Sequence, residues 1–484
     1  MTHSAFRLRW NVGHGAAASR HSDLALPSRR GFLAGSLACG ALAALGCGTA
    51  GAATTPRAGA VRTLPRPTPG QRAWQECEVG VIYHYDMTSF REFTGSGHSR
   101  DMPVLPAETW NPTALDTDQW LAAAKAMGAR YAILTATHES GFLQWQSALY
   151  PYGCRQSPWL GGKGDLVGAF VESCRKAGIR PGIYIGIRFN AYLGISGYVA
   201  RPERTDAMPT GAYMRLCERL VTEICTRYGQ LIELWFDGGV PTFAQGGPDL
   251  LPIVDRHQPD VVFYHNDDRR HHRHTPEKGV TLDPTWCTTA DMTVRTGAGD
   301  PAGPVWSPQM ALAPLRDHDW FFRPGREDRI QSLDALVRMY EQSVGLNANL
   351  ILGITPDRRG LVPEADGQRM GELGEAVRRR FTVGDMKTRG EGVSVTLQLS
   401  GPTTLSRAVI MEEIEHGQRI RQFVLEAQTP DQRWHELRAG SSIGHKRIIT
   451  FDPISAVALR LRCLNPAGSP LIRMLAALPE SARV

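Results

Sequence analysis

Asp237 stands where an acidic side chain could attack a bound substrate. It follows the strand-like segment 232–236 and precedes two glycines, Gly238 and Gly239. Many retaining glycosidases hold a nucleophilic carboxylate in this way, at the mouth of a strand and beside aromatic side chains. A carboxylate there could equally cap the turn that follows, so position alone leaves both interpretations open.

Two other strand-like segments also run into polar side chains. The segment 79–83 is followed by His84, and the segment 133–137 is followed by His138 and Glu139. In a barrel of parallel strands, the active site forms at the carboxyl ends of the strands. We therefore expect these side chains to share one site with Asp237.

The elements that must position these residues alternate between short β-branched runs and amphipathic helices. The predicted strands are 79–83, 131–135, 181–187, 231–236, 261–264 and 349–354. The predicted helices are 116–127, 166–177, 213–228, 250–257, 333–344 and 364–379. Roughly 300 residues of repeated βα units predict an α/β fold, a (β/α)8-type (TIM-like) barrel over residues 74–380. A doubly wound sheet is the alternative, but no Gly-x-Gly-x-x-Gly follows the first strand.

The two flanking regions differ from the barrel in composition. Residues 51–73 are rich in Ala, Thr, Pro and Gly and are predicted to be a linker. Residues 381–484 consist of short alternating segments separated by turn residues, which predicts a C-terminal β-sandwich.

Residues 1–50 are typical of a twin-arginine export signal. Arg29 and Arg30 precede an apolar, small-residue run that ends at Leu45. That run is too short to span about 30 Å of hydrocarbon, so we predict export to the periplasm or beyond and no membrane span. Cys47 lies where a lipoprotein signal would place its acylated cysteine, which makes a lipid anchor the alternative to simple cleavage.

Charge and cysteine spacing exclude other classes of function. The formal net charge is +6, and the five arginines and one aspartate of residues 1–47 supply +4 of it. The rest of the chain is nearly neutral, so charge predicts no nucleic-acid partner. The seven cysteines beyond Cys47 show no metal-binding spacing and are expected to be buried thiols.

Several segments resemble the α-L-fucosidases of glycoside hydrolase family 29, in the same order along the chain. The segment 235–239 (Trp-Phe-Asp-Gly-Gly) resembles the family's nucleophile segment, and 79–84 resembles its first strand, which ends in a fucose-binding histidine. The segment 134–142, with Trp145 beyond it, resembles a signature centred on two histidines. Segments 164–167, 177–179, 182–184 and 349–357 continue the similarity, which spans about residues 74–380.

This resemblance implies a retaining exo-α-L-fucosidase that acts on fucosylated glycans and uses no cofactor or metal. Asp237 would be the nucleophile in a double displacement. The substrate-binding residues would be His84, His138, Glu139, Trp235, Tyr184 and Trp145.

The chain departs from the family pattern beside the first histidine of the pair. The second histidine is replaced by Glu139, and the neighbouring lysine and aspartate are replaced by Thr137 and Ser140. A carboxylate accepts a hydrogen bond from a sugar hydroxyl but cannot donate one as an imidazole N–H does. Two alternatives to a fucosidase therefore stay open: a hydrolase for a related sugar such as α-L-galactose, and a glycan-binding protein on a degenerate barrel.

Glu277 is the candidate for the general acid/base. It precedes a proline and a tryptophan, as the acid/base glutamate does in one subgroup of the family. A competing segment, 306–310, often ends in glutamate in the family but ends here in Met310. The other interpretation of Glu277 is an ordinary solvated residue beside Lys278.

The segment 267–274 concentrates two aspartates, three arginines and three histidines within eight residues. It could bind a divalent metal or an acidic glycan substituent. Its spacing matches no defined metal motif, and its arginines would repel a cation. We therefore expect a solvated loop near the site.

Overall fold

The computed structural model describes residues 63–92, 99–263 and 268–479. The predicted export signal, Cys47 and Asp267 lie outside these residues. Within the described ranges, no helix is both long and apolar enough to cross a membrane.

Eight parallel strands in the described part of the chain form one curled sheet. They are β1 (Val79–Tyr83), β2 (Tyr131–Thr137), β3 (Arg180–Ile185), β4 (Glu233–Trp235), β5 (Val262–Phe263), β6 (Arg273–His274), β7 (Gln309–Pro314) and β8 (Ala348–Ile354). Their order in the sheet is β5-β4-β3-β2-β1-β8-β7-β6. The ladder thus begins and ends at two strands that are consecutive along the chain. This is the strand order of a (β/α)8 barrel, and the predicted fold class is confirmed.

Seven helices in the described residues accompany the strands: the first precedes β1, and the other six follow strands and pack in the outer core. They are α1 (Pro69–Gln75), α2 (Thr117–Met127), α3 (Leu166–Ala177), α4 (Thr210–Arg227), α5 (Leu251–His257), α6 (Leu333–Glu341) and α7 (Glu364–Phe381). Local sequence fixes several of their ends. Asp116 and Asp165 accept backbone hydrogen bonds at the N-termini of α2 and α3, at 3.1 and 2.8 Å. Glycines in the left-handed conformation end both helices.

Alternation along the strands separates an inner core from an outer one. Ile82, Tyr184 and Met310 belong to a cluster inside the barrel, whereas Val81 and Ile183 pack in the larger cluster that includes the helices. Because side chains alternate in a strand, residues two positions beyond an inner residue again face inward. This alternation brings polar side chains at the strand ends to the same mouth of the barrel.

Three elements of the barrel were missed in the sequence. Helix α1 lies partly in the predicted linker, and it forms because Thr68 and Gln71 make a reciprocal capping box. Strand β6 has only two residues, both of them polar. Strand β7 begins inside the segment that was taken as a loop ending at Met310.

The C-terminal region is a β domain, as predicted. In the described residues its six strands form one antiparallel ladder in the order β9-β14-β10-β13-β11-β12. They are β9 (Lys387–Glu391), β10 (Ser394–Glu412), β11 (Gln422–Gln428), β12 (Trp434–Gly440), β13 (Arg447–Leu464) and β14 (Leu471–Pro479). The domain has its own apolar core, with Leu405, Phe423 and Leu459 among its buried residues.

All seven cysteines in the described ranges are buried and free, as the scattered spacing predicted. Burial raises the pKa of the Cys77 thiol to about 11 and that of Cys225 to about 12. These thiols are therefore protonated at neutral pH and act as small apolar side chains.

A cluster of charges joins the barrel to the C-terminal domain. Glu78, just before β1, accepts a hydrogen bond from Lys446 Nζ at 2.5 Å, and its other oxygen lies 3.1 Å from His445 Nε2. Arg447 forms an ion pair with Asp283 at 2.7 Å. Burial raises the pKa of Glu78, but the Lys446 charge and the His445 hydrogen bond outweigh burial and lower it to about 2.

Replacing Glu78 by glutamine should remove an acid-sensitive part of the stability. Since its pKa is lower in the folded state than the usual 4.5, ionised Glu78 stabilises the fold above pH 4.5. That contribution, roughly 3 kcal/mol, is lost as pH falls from 4.5 towards 2. If unfolding midpoints are measured from pH 3 to pH 7, the difference between wild type and Glu78→Gln should be largest at neutral pH. The exposed Glu436→Gln is the matched control, and an equal effect of both variants would contradict the prediction.

Candidate active site

A cavity of about 410 Å³ collects nearly all the polar residues singled out in the sequence. Asp237 and Glu277 both line it. So do the predicted substrate-binding residues His84, His138, Glu139, Tyr184 and Trp235. These side chains lie at or just beyond the carboxyl ends of β1, β2, β3, β4 and β6, where a barrel enzyme carries its active site. The volume falls within the ~300–1,000 Å³ typical of small-ligand sites.

Asp237 lies two residues beyond the end of β4, on a loop held by three donors. Both Arg188 and Arg295 donate to the Gly238 carbonyl, at 3.3 and 2.7 Å. Tyr198 donates its hydroxyl to the Gly239 carbonyl at 2.7 Å. The Asp237 side chain is exposed to the cavity. The loop backbone is therefore fixed while the carboxylate is free to meet a substrate.

Substituting Gly238 by alanine should misplace Asp237. Gly238 has φ +71°, and an added methyl group would overlap the Arg188 guanidinium. We expect kcat to fall by about 10- to 100-fold, because small shifts of a reacting group are that costly. Gly246→Ala is the control, since Gly246 has φ +83° with open space around it. A similar loss of kcat in both variants, measured at saturating substrate, would count against a positional effect.

Glu277 lies in the loop after β6 and is held by a tryptophan. The Trp320 indole donates to Glu277 Oε2 at 2.7 Å. The same indole packs against His84, with ring centroids 4.9 Å apart. Glu277 is thus oriented within the cavity, although its side chain is largely exposed.

The two histidines form an aromatic wall of the cavity. The ring of His138 is stacked on Tyr184, with centroids 5.4 Å apart and planes 22° apart, and it lies 6.0 Å from the ring of His84. Burial, together with the neighbouring His138, lowers the pKa of His84 well below its usual value. His84 is therefore a neutral imidazole at neutral pH, with one N–H donor and one acceptor, a combination suited to sugar hydroxyls.

Glu139, which replaces the second histidine, forms an ion pair with Arg100. The Arg100 backbone N–H also contacts the carboxylate, at 3.5 Å. The guanidinium lies over the Phe189 ring at 4.4 Å and itself lines the cavity. Arg100 therefore brings N–H donors to the place where Glu139 offers only acceptors. No pattern in the sequence pointed to Arg100, because it comes from the connection between β1 and β2.

Trp145 is not at the cavity, contrary to the prediction. Its side chain is fully buried, and its indole donates to Glu223 on α4 at 2.8 Å. Six residues beyond Glu139, the last residue of its segment to line the cavity, the chain has turned into the outer core. Trp320 and Phe321, from the loop after β7, supply aromatic side chains to the cavity instead.

The prediction of a solvated loop at 267–274 is wrong for five of its seven described residues, whereas Arg269 is exposed and His274 is partly exposed. Asp268, Arg270, His271 and His272 are all at most 6% exposed, and Arg273 is fully buried. Burial is tolerated because the charges are paired within the protein. Arg270 is paired with Asp268, and the Arg273 guanidinium donates to backbone carbonyl groups. Among the described residues, no group of three or more His, Cys, Asp or Glu side chains could hold a metal ion.

Comparison with known proteins agrees with the geometry of this site. A family model described as Alpha-L-fucosidase matches residues 72–380. The chain belongs to the alpha-L-fucosidase family. It is therefore a glycoside hydrolase by family, and the matched range covers every barrel strand and both candidate catalytic carboxylates.

Individual relatives extend the similarity beyond the barrel. One similar crystal structure is that of a protein described as an alpha-L-fucosidase from Bacteroides thetaiotaomicron VPI-5482. Its sequence is 43% identical to this chain, and its TM-score is 0.83. The match covers 86% of this chain and 100% of that one. Alpha-L-fucosidase 1 of Arabidopsis thaliana is 24% identical over 85% of this chain and 87% of its own length. A GH29 fucosidase of Ruminococcus gnavus, solved in complex with fucose, shares the fold at 20% identity and a TM-score of 0.74, covering 86% of this chain and 95% of that one.

Proposed function

We propose that this family member is a retaining exo-α-L-fucosidase that removes terminal α-L-fucose from glycans. One observation carries the proposal: Asp237 and Glu277 line a single cavity together with His84 and His138. Glycoside hydrolysis by double displacement needs two carboxyl groups at one site, one to attack and one to transfer the proton.

The reaction then proceeds in two steps. Asp237 attacks the anomeric carbon and forms a glycosyl ester as the bond to the leaving oxygen breaks, and Glu277 gives its proton to that oxygen. In the second step Glu277 takes a proton from water, which attacks the anomeric carbon and frees Asp237. Two inversions at the same carbon give net retention.

The direct test uses 4-nitrophenyl α-L-fucoside and follows the product by ¹H NMR. Release of nitrophenol with α-L-fucose as the first anomer to appear would support the proposal. First appearance of the β anomer would rule out double displacement. No turnover of any α-L-fucoside would overturn the fucosidase activity and favour a glycan-binding protein.

The Glu139–Arg100 pair favours a second candidate, a hydrolase for α-L-galactosides. This sugar differs from fucose by a hydroxyl at C6, and a carboxylate–guanidinium pair offers both an acceptor and donors for such a group. Comparing kcat/KM for aryl α-L-fucoside and aryl α-L-galactoside separates the two candidates. A preference for the galactoside would replace the first proposal.

A further inference from the structure

Among the described residues, the ladder of barrel strands has its two ends at β5 and β6, and we call the place between them the β5–β6 seam. Among the described residues at this seam, the Phe263 N–H donates to the Arg270 carbonyl at 3.3 Å. The candidate nucleophile follows β4 on one side of the seam, and Glu277 follows β6 on the other. The seam therefore lies on the shorter path around the barrel between the two carboxylates.

A buried side-chain pair bridges the two sides of this seam. Glu233 on β4 is fully buried, and its Oε1 lies 3.0 Å from Nε2 of His272, the residue just before β6. Its Oε2 accepts a hydrogen bond from the Trp74 indole of α1 at 2.7 Å. The Trp74 and His272 rings are stacked, with centroids 5.3 Å apart and planes 15° apart. One carboxylate thus connects β4, the approach to β6 and the helix at the base of the barrel.

The bridge lies directly beneath the catalytic cavity. Because side chains alternate along a strand, Glu233, Trp235 and Asp237 face the same side. His272 lines the cavity, and its ring contacts Trp235 at 6.1 Å between centroids. A shift of Glu233 or His272 is therefore transmitted through Trp235 and the first residues of β6 to both candidate catalytic loops.

Stability alone does not account for this pair. A carboxylate without solvent contact is costly to bury, because it gives up its hydration, and apolar side chains of similar volume at such sites are often neutral or stabilising. We propose that Glu233 and His272 are positioning residues: their pair spans the β5–β6 seam and sets the separation of Asp237 and Glu277. This inference rests on the proposed function, because it assigns the two carboxylates their roles.

If the Glu233–His272 pair is removed, we expect a loss of activity whose size depends on the leaving group of the substrate. A poor leaving group departs only if Glu277 protonates it in the first step, whereas dinitrophenolate leaves without that proton. If the bridge sets the spacing, its loss should slow poor leaving groups far more than good ones. General destabilisation would lower kcat/KM by the same factor for substrates with poor and with good leaving groups.

The test variant is Glu233→Met, which removes both polar contacts at similar volume. We expect kcat/KM for phenyl α-L-fucoside to fall about 100-fold and kcat/KM for the 2,4-dinitrophenyl fucoside, which reports the first step alone, to fall less than about 5-fold. Glu233→Gln, which can still accept the Trp74 hydrogen bond and keeps a polar group facing His272, should recover most of the loss. If Glu233→Met does not fold, the double variant Glu233→Met/His272→Phe, which replaces both polar side chains by apolar ones, takes its place.

Glu412→Gln is the matched control, because Glu412 is another fully buried carboxylate but lies in the C-terminal domain. It should reduce the unfolding temperature without any dependence on the leaving group. Equal losses for both substrates in the Glu233 variants, or no loss at all, would overturn the inference. If Glu277→Gln itself shows no dependence on the leaving group, the proposed function fails first and the inference fails with it.

Discussion

Replacing Asp237 by alanine is expected to lower kcat on 4-nitrophenyl α-L-fucoside by about 10⁴-fold or more. Without the carboxylate, no covalent ester can form, and losses of this size are typical when a nucleophile is removed. The fold should be unaffected, because the Asp237 side chain is exposed to the cavity and the loop is held by its backbone carbonyls. The unfolding temperature should therefore stay close to that of the wild type.

Rescue by azide tests specifically whether Asp237 is the nucleophile. The small anion should enter the space left by the Asp237 side chain and attack the anomeric carbon directly, so that activity returns and the product is β-L-fucosyl azide. Asp291→Ala is the control, since Asp291 is an exposed aspartate on the segment beyond Glu277. Wild-type activity in Asp237→Ala, or a rescued product of α configuration, would remove Asp237 from the role of nucleophile.

Substituting Glu277 by glutamine should produce the second-largest effect. We expect kcat/KM for phenyl α-L-fucoside to fall by about 10²- to 10⁴-fold, the usual contribution of a general acid. For activated substrates such as the 2,4-dinitrophenyl fucoside, the rate of the first step should fall little. Glutamine retains an oxygen that can accept the Trp320 hydrogen bond, so the change isolates proton transfer from geometry.

Azide separates the roles of the two carboxylates by stereochemistry. In Glu277→Gln the nucleophile is intact, so azide should intercept the glycosyl ester and give α-L-fucosyl azide, the opposite anomer to that from Asp237→Ala. Lys278→Met, beside Glu277 but outside the residues that line the cavity, controls for disturbance of the loop. If kcat/KM of Glu277→Gln falls by the same factor for every leaving group, Glu277 has a structural role.

The parts of the fold predicted well were those whose own sequence carries the signal. Helix α3 was predicted to the residue, because an aspartate caps one end and a glycine the other. Strands β1 and β8 are apolar along nearly their whole length, since buried parallel strands need apolar side chains on both faces. The carboxyl ends of such strands then identified His84, His138 and Asp237 as candidates for one site.

The parts missed depend on contacts that are distant in sequence. Strand β6 consists of Arg273 and His274, and its burial is tolerated because the arginine donates to carbonyl groups contributed by other segments. Arg100 and Trp320 reach the cavity from loops without any periodic pattern. Trp145 was misplaced because the family signature gives its order along the chain but not the direction in which the chain turns.

Helix α1 makes the completion of the barrel a late event in folding. Trp74 contacts Glu233, and its carbonyl accepts a hydrogen bond from Asn349 at 2.7 Å, 275 residues further along the chain. Gln71 donates to the carbonyls of His271 and Trp306 at 2.8 and 3.3 Å. At about 5–20 residues per second, the ribosome needs on the order of tens of seconds to supply these partners. The first helix of the barrel to be made is therefore among the last to dock, and until then it leaves Trp74 open to chaperones and proteases.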